Sequence, residues 1–160
     1  MPFRPYQYLL VDHIIGVKKD ALWSFMGSGK TAAVLTAIDR MQLAGILEKP
    51  TLVIAPLRVA RDVWPNEPAE WPHLQHLKVV PMLGTASQRQ DAFHEKADIY
   101  TINYENLVWL IKTWGPHWPY GMVVVDESTK LKSLRANIRK NAQGTTWVQG
   151  EGGSRAKALL

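Results

Sequence analysis

The chain has 160 residues, 46% hydrophobic and 21% charged, which is typical of one globular domain and argues against a disordered chain. It contains no cysteine, which excludes disulfides and zinc–thiolate sites, and its net charge of +5 is compatible with a nucleic-acid partner. Because no apolar run approaches the roughly 20 residues of a membrane span and the first residues lack a secretory signal, we expect a soluble cytoplasmic protein with no membrane partner.

Apolar periodicity and turn residues divide the chain into alternating helices and strands. In chain order the sequence predicts helix 6–17, strand 21–25, helix 31–44, strand 51–55, helix 58–64, strand 78–82, helix 86–97, strand 99–102, helix 104–113 and strand 122–125. Pro65 is expected to end the helix that precedes it. Residues from 141 onward are expected to form a loop, and residues 154–160 to begin a further helix. The alternation favours an α/β fold with a parallel sheet and helices on both faces.

The most specific motif is SFMGSGKT, residues 24–31, between the first predicted strand and the second predicted helix. This is the context of a phosphate-binding loop, because glycines allow positive φ and a helix N-terminus adds unpaired donors. Lys30 is expected to reach the β- and γ-phosphates of ATP, and the Thr31 hydroxyl to bind Mg²⁺. The full template has glycine at the position of Ser24, and a strand–turn–helix junction with a surface lysine is the alternative interpretation.

A second motif, MVVVDE, occupies residues 122–127. The apolar run predicts a strand buried on both faces of a parallel sheet, and ligands bind at the carboxyl ends of such strands. Asp126 is expected to hold Mg²⁺, through water, and Glu127 to orient or deprotonate the attacking water. Ordinary acidic residues at the end of a strand are the alternative, but the glycine loop upstream favours the catalytic interpretation.

Taken together, these motifs resemble the first RecA-like lobe of a superfamily-two helicase, nearest to the SWI/SNF-like DNA translocases, and they occur in family order. The resemblance covers nearly the whole chain and implies a RecA-like P-loop fold, a three-layer αβα sandwich with a mainly parallel sheet. It implies ATP and Mg²⁺ as cofactors, with Gln7 reading the adenine edge, since an amide both donates and accepts hydrogen bonds. The cofactor-binding residues that it implies are Arg4, Gln7, Met26, Gly27, Ser28, Gly29, Lys30 and Thr31, with Thr31 and Asp126 at the metal.

Two further segments, 51–64 (TLVIAPLRVARDVW) and 100–107 (YTINYENL), resemble the family's motifs that touch the nucleic-acid backbone. The resemblance implies contacts that position a strand without reading its sequence. The candidate residues are Pro56, Arg58, Thr101 and Tyr104. A solvated charge at the start of a helix is the alternative for the arginine.

The resemblance also carries expectations about domain organisation. It implies that residues 1–140 form an incomplete lobe, truncated before its last strand or strands, and that 141–160 are a glycine-rich loop and the start of a helix. The second RecA-like lobe, with its arginine fingers, is expected to be absent and to come from the same or another chain.

Without arginine fingers we expect weak binding of Mg-ATP and very slow turnover by this chain alone. The expected partner is duplex DNA, and the expected compartment is the bacterial or phage-infected host cytoplasm. The alternatives are a non-catalytic, nucleotide-gated nucleic-acid-binding module and another P-loop class, such as a packaging motor or a small-molecule kinase.

Overall fold

The computed structural model describes residues 3–17, 27–127, 135–140 and 146–151. Its α-helices are α1 Pro5–Gly16, α2 Lys30–Leu43, α3 Trp64–Asn66, α4 Ala86–His94 and α5 Leu107–Trp114. A π-helix spans Val59–Val63, and 3₁₀ helices span Glu67–Glu70, Tyr104–Asn106 and Gly115–His117. The strands are β1 Thr51–Ala55, β2 Val79–Pro81, β3 Ile99–Asn103, β4 Met122–Val125, β5 Arg135–Lys140 and β6 Thr146–Glu151.

Four strands form one parallel sheet in the order β2–β3–β1–β4. In its register Thr51, the first residue of β1, lies opposite Ile99 of β3 and Met122 of β4. Because the strands run in the same direction, β1, β3 and β4 all end at one edge of the sheet. That edge is where ligands bind in open α/β sheets.

The core lies on both faces of this sheet, as the central strand β1 demonstrates. Val53 and Ala55 belong to a buried cluster that contains residues of α2, whereas Leu52 and Ile54 belong to a cluster that contains residues of α5. Successive side chains of a strand point to opposite faces, so helices cover the sheet on both sides. This arrangement confirms the predicted α/β fold class, with its parallel sheet between two layers of helices.

Most predicted elements occur within a few residues of their expected bounds, but the prediction that Pro65 ends a helix was wrong. The chain continues through Pro65 as α3 and then as a 3₁₀ helix, Glu67–Glu70. Proline lacks an N–H and clashes with the carbonyl group one turn upstream in an α-helix. Here Pro65 falls in the first turn of α3, directly after the π-helix Val59–Val63, so it does not interrupt a regular α-helical ladder.

Two other expectations need correction. The strand β4 is not buried on both faces, because Val123 is 42% exposed and β4 lies at an edge among the four paired strands. Residues 146–151, predicted as part of a loop, form β6, which pairs antiparallel with β5.

The predicted strand 21–25 and the predicted helix start at 154–160 lie outside the described residues. None of the described helices is both long and apolar enough to cross a membrane.

Candidate functional site

The glycine loop leads directly into α2. Gly27 and Gly29 have φ angles of 77° and 73°, in the left-handed region that glycine adopts without strain. Gly29 caps α2, and its carbonyl oxygen accepts the first helical hydrogen bond, from the Ala33 amide at 3.1 Å. Lys30 and Thr31 are the first two residues of the helix, and both are half-buried. Met26, the remaining predicted member of the loop, lies outside the described residues.

Ser28 is the buried residue of this loop. It is 2% exposed, and among the described residues its Oγ atom has no hydrogen-bond partner. A buried hydroxyl without a partner carries a free-energy cost of about 1–3 kcal/mol, which a ligand that accepts or donates a hydrogen bond would remove. Together with the donors at the start of α2, this unpaired hydroxyl fits an anion such as a phosphate group.

Gln7 joins the start of α1 to the glycine loop. Its side-chain oxygen accepts from the Arg4 backbone amide at 2.8 Å, and its side-chain nitrogen donates to the Gly29 carbonyl oxygen at 3.3 Å. The neighbouring Tyr6 donates its hydroxyl to the Ser28 carbonyl oxygen at 2.8 Å. Gln7 is buried, whereas Arg4 is exposed. The structure therefore gives Gln7 a role in holding the loop, and its contact with adenine stays a prediction.

Asp126 and Glu127 follow the last residue of β4. The Asp126 amide donates to the Ile54 carbonyl oxygen at 2.8 Å, which continues the pairing of β4 with β1. Its carboxylate accepts at both oxygens: from the Glu127 amide at Oδ1, 2.9 Å, and from the Trp64 indole Nε1 at Oδ2, 3.0 Å. Glu127 is exposed and has a φ of 53°, the one positive value among the described residues other than glycine.

Tyr104 holds the backbone of this acidic pair. It is buried, and its hydroxyl donates to the Asp126 backbone carbonyl oxygen. Burial raises the pKa of Tyr104 to about 12, and the charges of Asp126 and Glu127 act in the same direction. The phenol therefore stays protonated and remains a donor at neutral pH. This bond fixes the backbone where the chain leaves β4.

The helix α2 brings the glycine loop and the acidic pair to the same edge. Residues 44–50 lead from the end of α2 to the start of β1, so the helix runs antiparallel to the strand. Met41, in the last turn of α2, shares a buried cluster with Met122, the first residue of β4. The first turn of α2 therefore lies toward the edge where β1 and β4 end, which is the edge that carries Asp126.

The four predicted nucleic-acid contacts separate into two pairs. Pro56 and Arg58 follow β1 at the same edge of the sheet; the first is half-buried and the second exposed. Thr101 and Tyr104 are buried, and both hydroxyls already donate to backbone carbonyl oxygens, that of Thr101 to Ala60 at 2.6 Å. Direct contact of these two side chains with a nucleic acid does not fit this structure, because burial removes them from the surface.

The family model for the SNF2-related domain matches residues 22–146, which include both the glycine loop and the acidic pair. The chain belongs to the SNF2-related domain family. The match covers most of the chain and includes the described part of the sheet. The resemblance inferred from the motifs is thereby confirmed.

Two individual proteins are similar to this SNF2-related domain. It is 47% identical over 143 residues to "Putative protein p41" of Acyrthosiphon pisum secondary endosymbiont phage 1, which covers 89% of the chain and 31% of the phage protein. It also matches the Sulfolobus solfataricus SWI2/SNF2 ATPase core in complex with dsDNA, with a TM-score of 0.67 and 24% identity. That match covers 82% of this chain and 27% of the archaeal one, so this domain spans about a third of either protein or less.

The oxygen atoms that this SNF2-related domain offers as metal ligands fit Mg²⁺, and its glycine loop fits the phosphates of a nucleotide. Mg²⁺ prefers carboxylate and hydroxyl oxygens and keeps several waters. Thr31 and Asp126 offer such oxygens, and the carboxylate of Asp126 has lone pairs beyond those that its two donors use.

Three features of the site could not be found from the sequence. These are the indole bond of Trp64 to Asp126, the phenol bond of Tyr104 to the same residue, and the contact of Tyr6 with the glycine loop. Trp64 is buried, as a large aromatic side chain in a core usually is. Tyrosine and tryptophan do carry a polar tip that needs a partner when buried, but that signal does not say which partner.

Proposed function

We propose that this SNF2-related domain is the ATP-binding lobe of a DNA-dependent ATPase that couples ATP hydrolysis to movement along duplex DNA. The observation that carries the proposal is the arrangement at one edge of the sheet. There, the Ser28 hydroxyl, which has no partner among the described residues, and the start of α2 lie toward the edge that carries Asp126 and Glu127. A phosphate-binding loop beside two carboxylates is the arrangement that phosphoryl transfer needs.

Each loop residue has a role in this proposal. The backbone amides from Gly27 to Thr31 would hold phosphate oxygens, and Lys30 would neutralise the β- and γ-phosphates. Met26 would complete the loop, while Arg4 and Gln7 would lie on the adenine side. The buried position of Gln7 against the loop supports its place in the site.

The carboxylates have separate roles. Thr31 and Asp126 would hold Mg²⁺, which when bound neutralises charge on the phosphate oxygens. Glu127 would orient or deprotonate the attacking water. Its exposure supports that role, because a group that handles water needs access to it.

Duplex DNA is the proposed partner. The archaeal ATPase core of similar fold is a complex with dsDNA, and the net charge of +5 on this chain favours a polyanion. Pro56 and Arg58 are the proposed contacts, since both are accessible at the edge where β1 ends. The similarity to a phage protein supports a bacterial or phage-infected host cytoplasm as the compartment.

Full activity is proposed to need a second RecA-like lobe. The domain spans 31% of the phage relative and 27% of the archaeal ATPase core chain, so those proteins contain much more than this lobe. Arginine fingers are worth about 10³ to 10⁵ in rate in phosphoryl transfer. We therefore expect this lobe alone to bind Mg-ATP weakly and to hydrolyse it very slowly.

The test is a titration with a fluorescent ATP analogue and Mg²⁺, with and without duplex DNA. We expect saturable binding by the wild type and at least about tenfold weaker binding by Lys30→Ala, because the positive charge that neutralises the phosphates is lost. Lys112→Ala, which removes an exposed lysine of α5, is the matched control and should bind as the wild type does.

The titration with DNA separates functions that involve a nucleic acid from those that do not. If DNA changes the affinity for ATP, linkage requires ATP to change the affinity for DNA equally, as a translocase lobe needs. ATP binding that DNA leaves unchanged would instead favour a P-loop class that does not act on nucleic acid, such as a small-molecule kinase. Equal binding by Lys30→Ala and the wild type would overturn the assignment of the loop.

A further inference from the structure

We infer that Trp64 is a positioning residue for Asp126, holding that carboxylate in the orientation in which it receives hydrated Mg²⁺. The inference rests on the proposed function, since it assigns a residue to the same site. Trp64 lies 62 residues before the acid in sequence, and no motif that we assigned to the nucleotide includes it.

The first argument is the way in which the Asp126 carboxylate is held. The Trp64 Nε1 atom donates to Oδ2 at 3.0 Å, and the Glu127 amide donates to Oδ1 at 2.9 Å. Two donors at opposite oxygens stop the carboxylate from rotating about its Cβ–Cγ bond. A carboxylate has about four lone-pair sites, so two remain beyond those that Trp64 and Glu127 use, and their directions are fixed.

The second argument is that the indole itself cannot move. Trp64 is 2% exposed and packs in the cluster that joins α2 to the sheet. The π-helix that precedes it is held to β3 by the bond from the Thr101 hydroxyl to the Ala60 carbonyl oxygen. A donor on a rigid support fixes its acceptor more closely than a donor on a mobile side chain.

The third argument is the choice of acceptor. Trp71, seven residues further on, also donates its indole N–H to a carboxylate, but that of Glu67 one turn away, at 3.1 Å. Such a local bond satisfies the indole without reaching another element. Trp64 instead reaches across the sheet edge to the acid that follows β4, which a purely structural indole does not need to do.

The test compares Trp64→Phe with Trp71→Phe as the matched control. Each substitution removes one indole–carboxylate bond and keeps an aromatic ring. The readout is the Mg²⁺ concentration that half-saturates binding of a fluorescent ATP analogue. For Trp64→Phe we expect this concentration to rise about tenfold, as when the outer partner of a metal ligand is lost, with binding in EDTA unchanged within about twofold. Trp71→Phe should match the wild type.

A second measurement needs no substitution at Trp64 in the measured protein. The chain has seven tryptophans, and each gives one indole N–H cross-peak in a proton–nitrogen NMR spectrum. The peak that Trp64→Phe lacks belongs to Trp64; if that variant does not fold, triple-resonance assignment of the wild type identifies the peak. We expect this peak to shift when Asp126 is replaced by Ala, and when Mg-ATP is added to the wild type.

The outcomes are distinct. Equal Mg²⁺ dependence of the Trp64→Phe and Trp71→Phe variants, or a Trp64 peak that ignores Asp126→Ala and Mg-ATP, would overturn the inference while leaving the nucleotide site intact. Failure of the wild type itself to bind Mg-ATP would overturn the proposed function, and the inference with it. A tenfold shift confined to Trp64→Phe, together with the peak movements, would support the positioning role.

Discussion

The side-chain nitrogen of Gln7 lies 3.3 Å from the carbonyl oxygen of Gly29 and fills the space that a Cβ atom on Gly29 would need. An added Cβ would lie 2.3 Å from that nitrogen. The glycine is therefore favoured for two separate reasons: its φ of 73°, and the amide of Gln7, which an added Cβ would displace. The start of α1 is thus part of the structure that shapes the glycine loop.

This relationship predicts different costs for two neighbouring glycines. Gly27→Ala should lower the free energy of unfolding by about 1–2 kcal/mol, because its φ is 77° although an added Cβ meets no atom of the described residues within 4 Å. Gly29→Ala should cost more, since it adds a clash with Gln7. Urea unfolding of both variants and of the double variant Gly29→Ala with Gln7→Ala measures the difference. Equal costs for the two single variants would contradict the prediction.

The buried hydroxyl of Tyr104 predicts a loss of stability at neutral pH. Tyr104→Phe leaves the Asp126 carbonyl oxygen without this donor, and we expect the free energy of unfolding to fall by about 1–2 kcal/mol. Tyr120→Phe is the control, since its hydroxyl donates to the Met82 sulfur, a weak acceptor, at 3.5 Å, and its loss should cost less. Thermal unfolding of the two variants measures both losses of stability. A larger loss in Tyr120→Phe would count against the role of the bond from Tyr104 to Asp126.

The raised pKa of Tyr104 predicts a dependence of stability on alkaline pH. The folded-state pKa is about 12, above the ordinary value of 10, so the unfolded chain loses its proton first as the pH rises. The stabilisation that the protonated Tyr104 phenol contributes is present below pH 10 and is lost as the pH rises toward 12. Tyr104→Phe should therefore flatten the fall of the free energy of unfolding over that range. An unchanged slope would show that the phenol titrates alike in both states.

The separation of the nucleic-acid candidates predicts opposite phenotypes. Thr101→Val should lower the free energy of unfolding by about 1–2 kcal/mol, because the bond to Ala60 is lost, and should leave DNA affinity unchanged. Arg58→Ala should leave stability within about 0.5 kcal/mol and weaken DNA binding, with a salt slope smaller by about one. Arg40→Ala, at the other end of α2, is the control for loss of an exposed arginine. Reduced DNA affinity in a fully folded Thr101→Val protein would reverse the assignment.

The backbone of Glu127 predicts a conflict between stability and activity. A glutamate at φ 53° is strained by about 1–2 kcal/mol, whereas asparagine tolerates this region. Glu127→Asn should raise the free energy of unfolding in urea by up to about 1 kcal/mol and remove the slow ATP hydrolysis expected of this lobe. Glu48→Asn, at another exposed glutamate, should neither raise the free energy of unfolding nor reduce hydrolysis. A less stable Glu127→Asn protein would mean that the strain is compensated elsewhere.

The parallel sheet and its two helical layers could be predicted because their signals are local. The apolar run of β1 and the spacing of apolar residues in α2 each depend on a few neighbouring residues. The glycine loop and the acidic pair were found for the same reason. The order of the elements then predicts that the carboxyl ends of parallel strands meet at one edge.

The remaining features depend on partners far away in sequence. Whether Thr101 faces DNA or the Ala60 carbonyl oxygen is decided by a contact 41 residues away, and the residue pattern of β3 is the same in both cases. The same holds for the bond of Trp64 to Asp126. Pro65 was misinterpreted because a rule for regular α-helices does not describe a chain that enters α3 from a π-helix.

The π-helix Val59–Val63 has a consequence for how this segment can vary. Each added or removed residue turns the rest of a helix by about 100°, and a π-helical turn already contains one residue more than an α-helical turn. Loss of one residue from the π-helical turn would therefore restore an α-helical turn and keep the indole directed at Asp126, whereas an added residue would turn it away. Exposed positions such as Arg61 can change their side chains freely, whereas an insertion there would move Trp64. Among natural variants of this domain, this stretch should lose a residue more readily than it gains one.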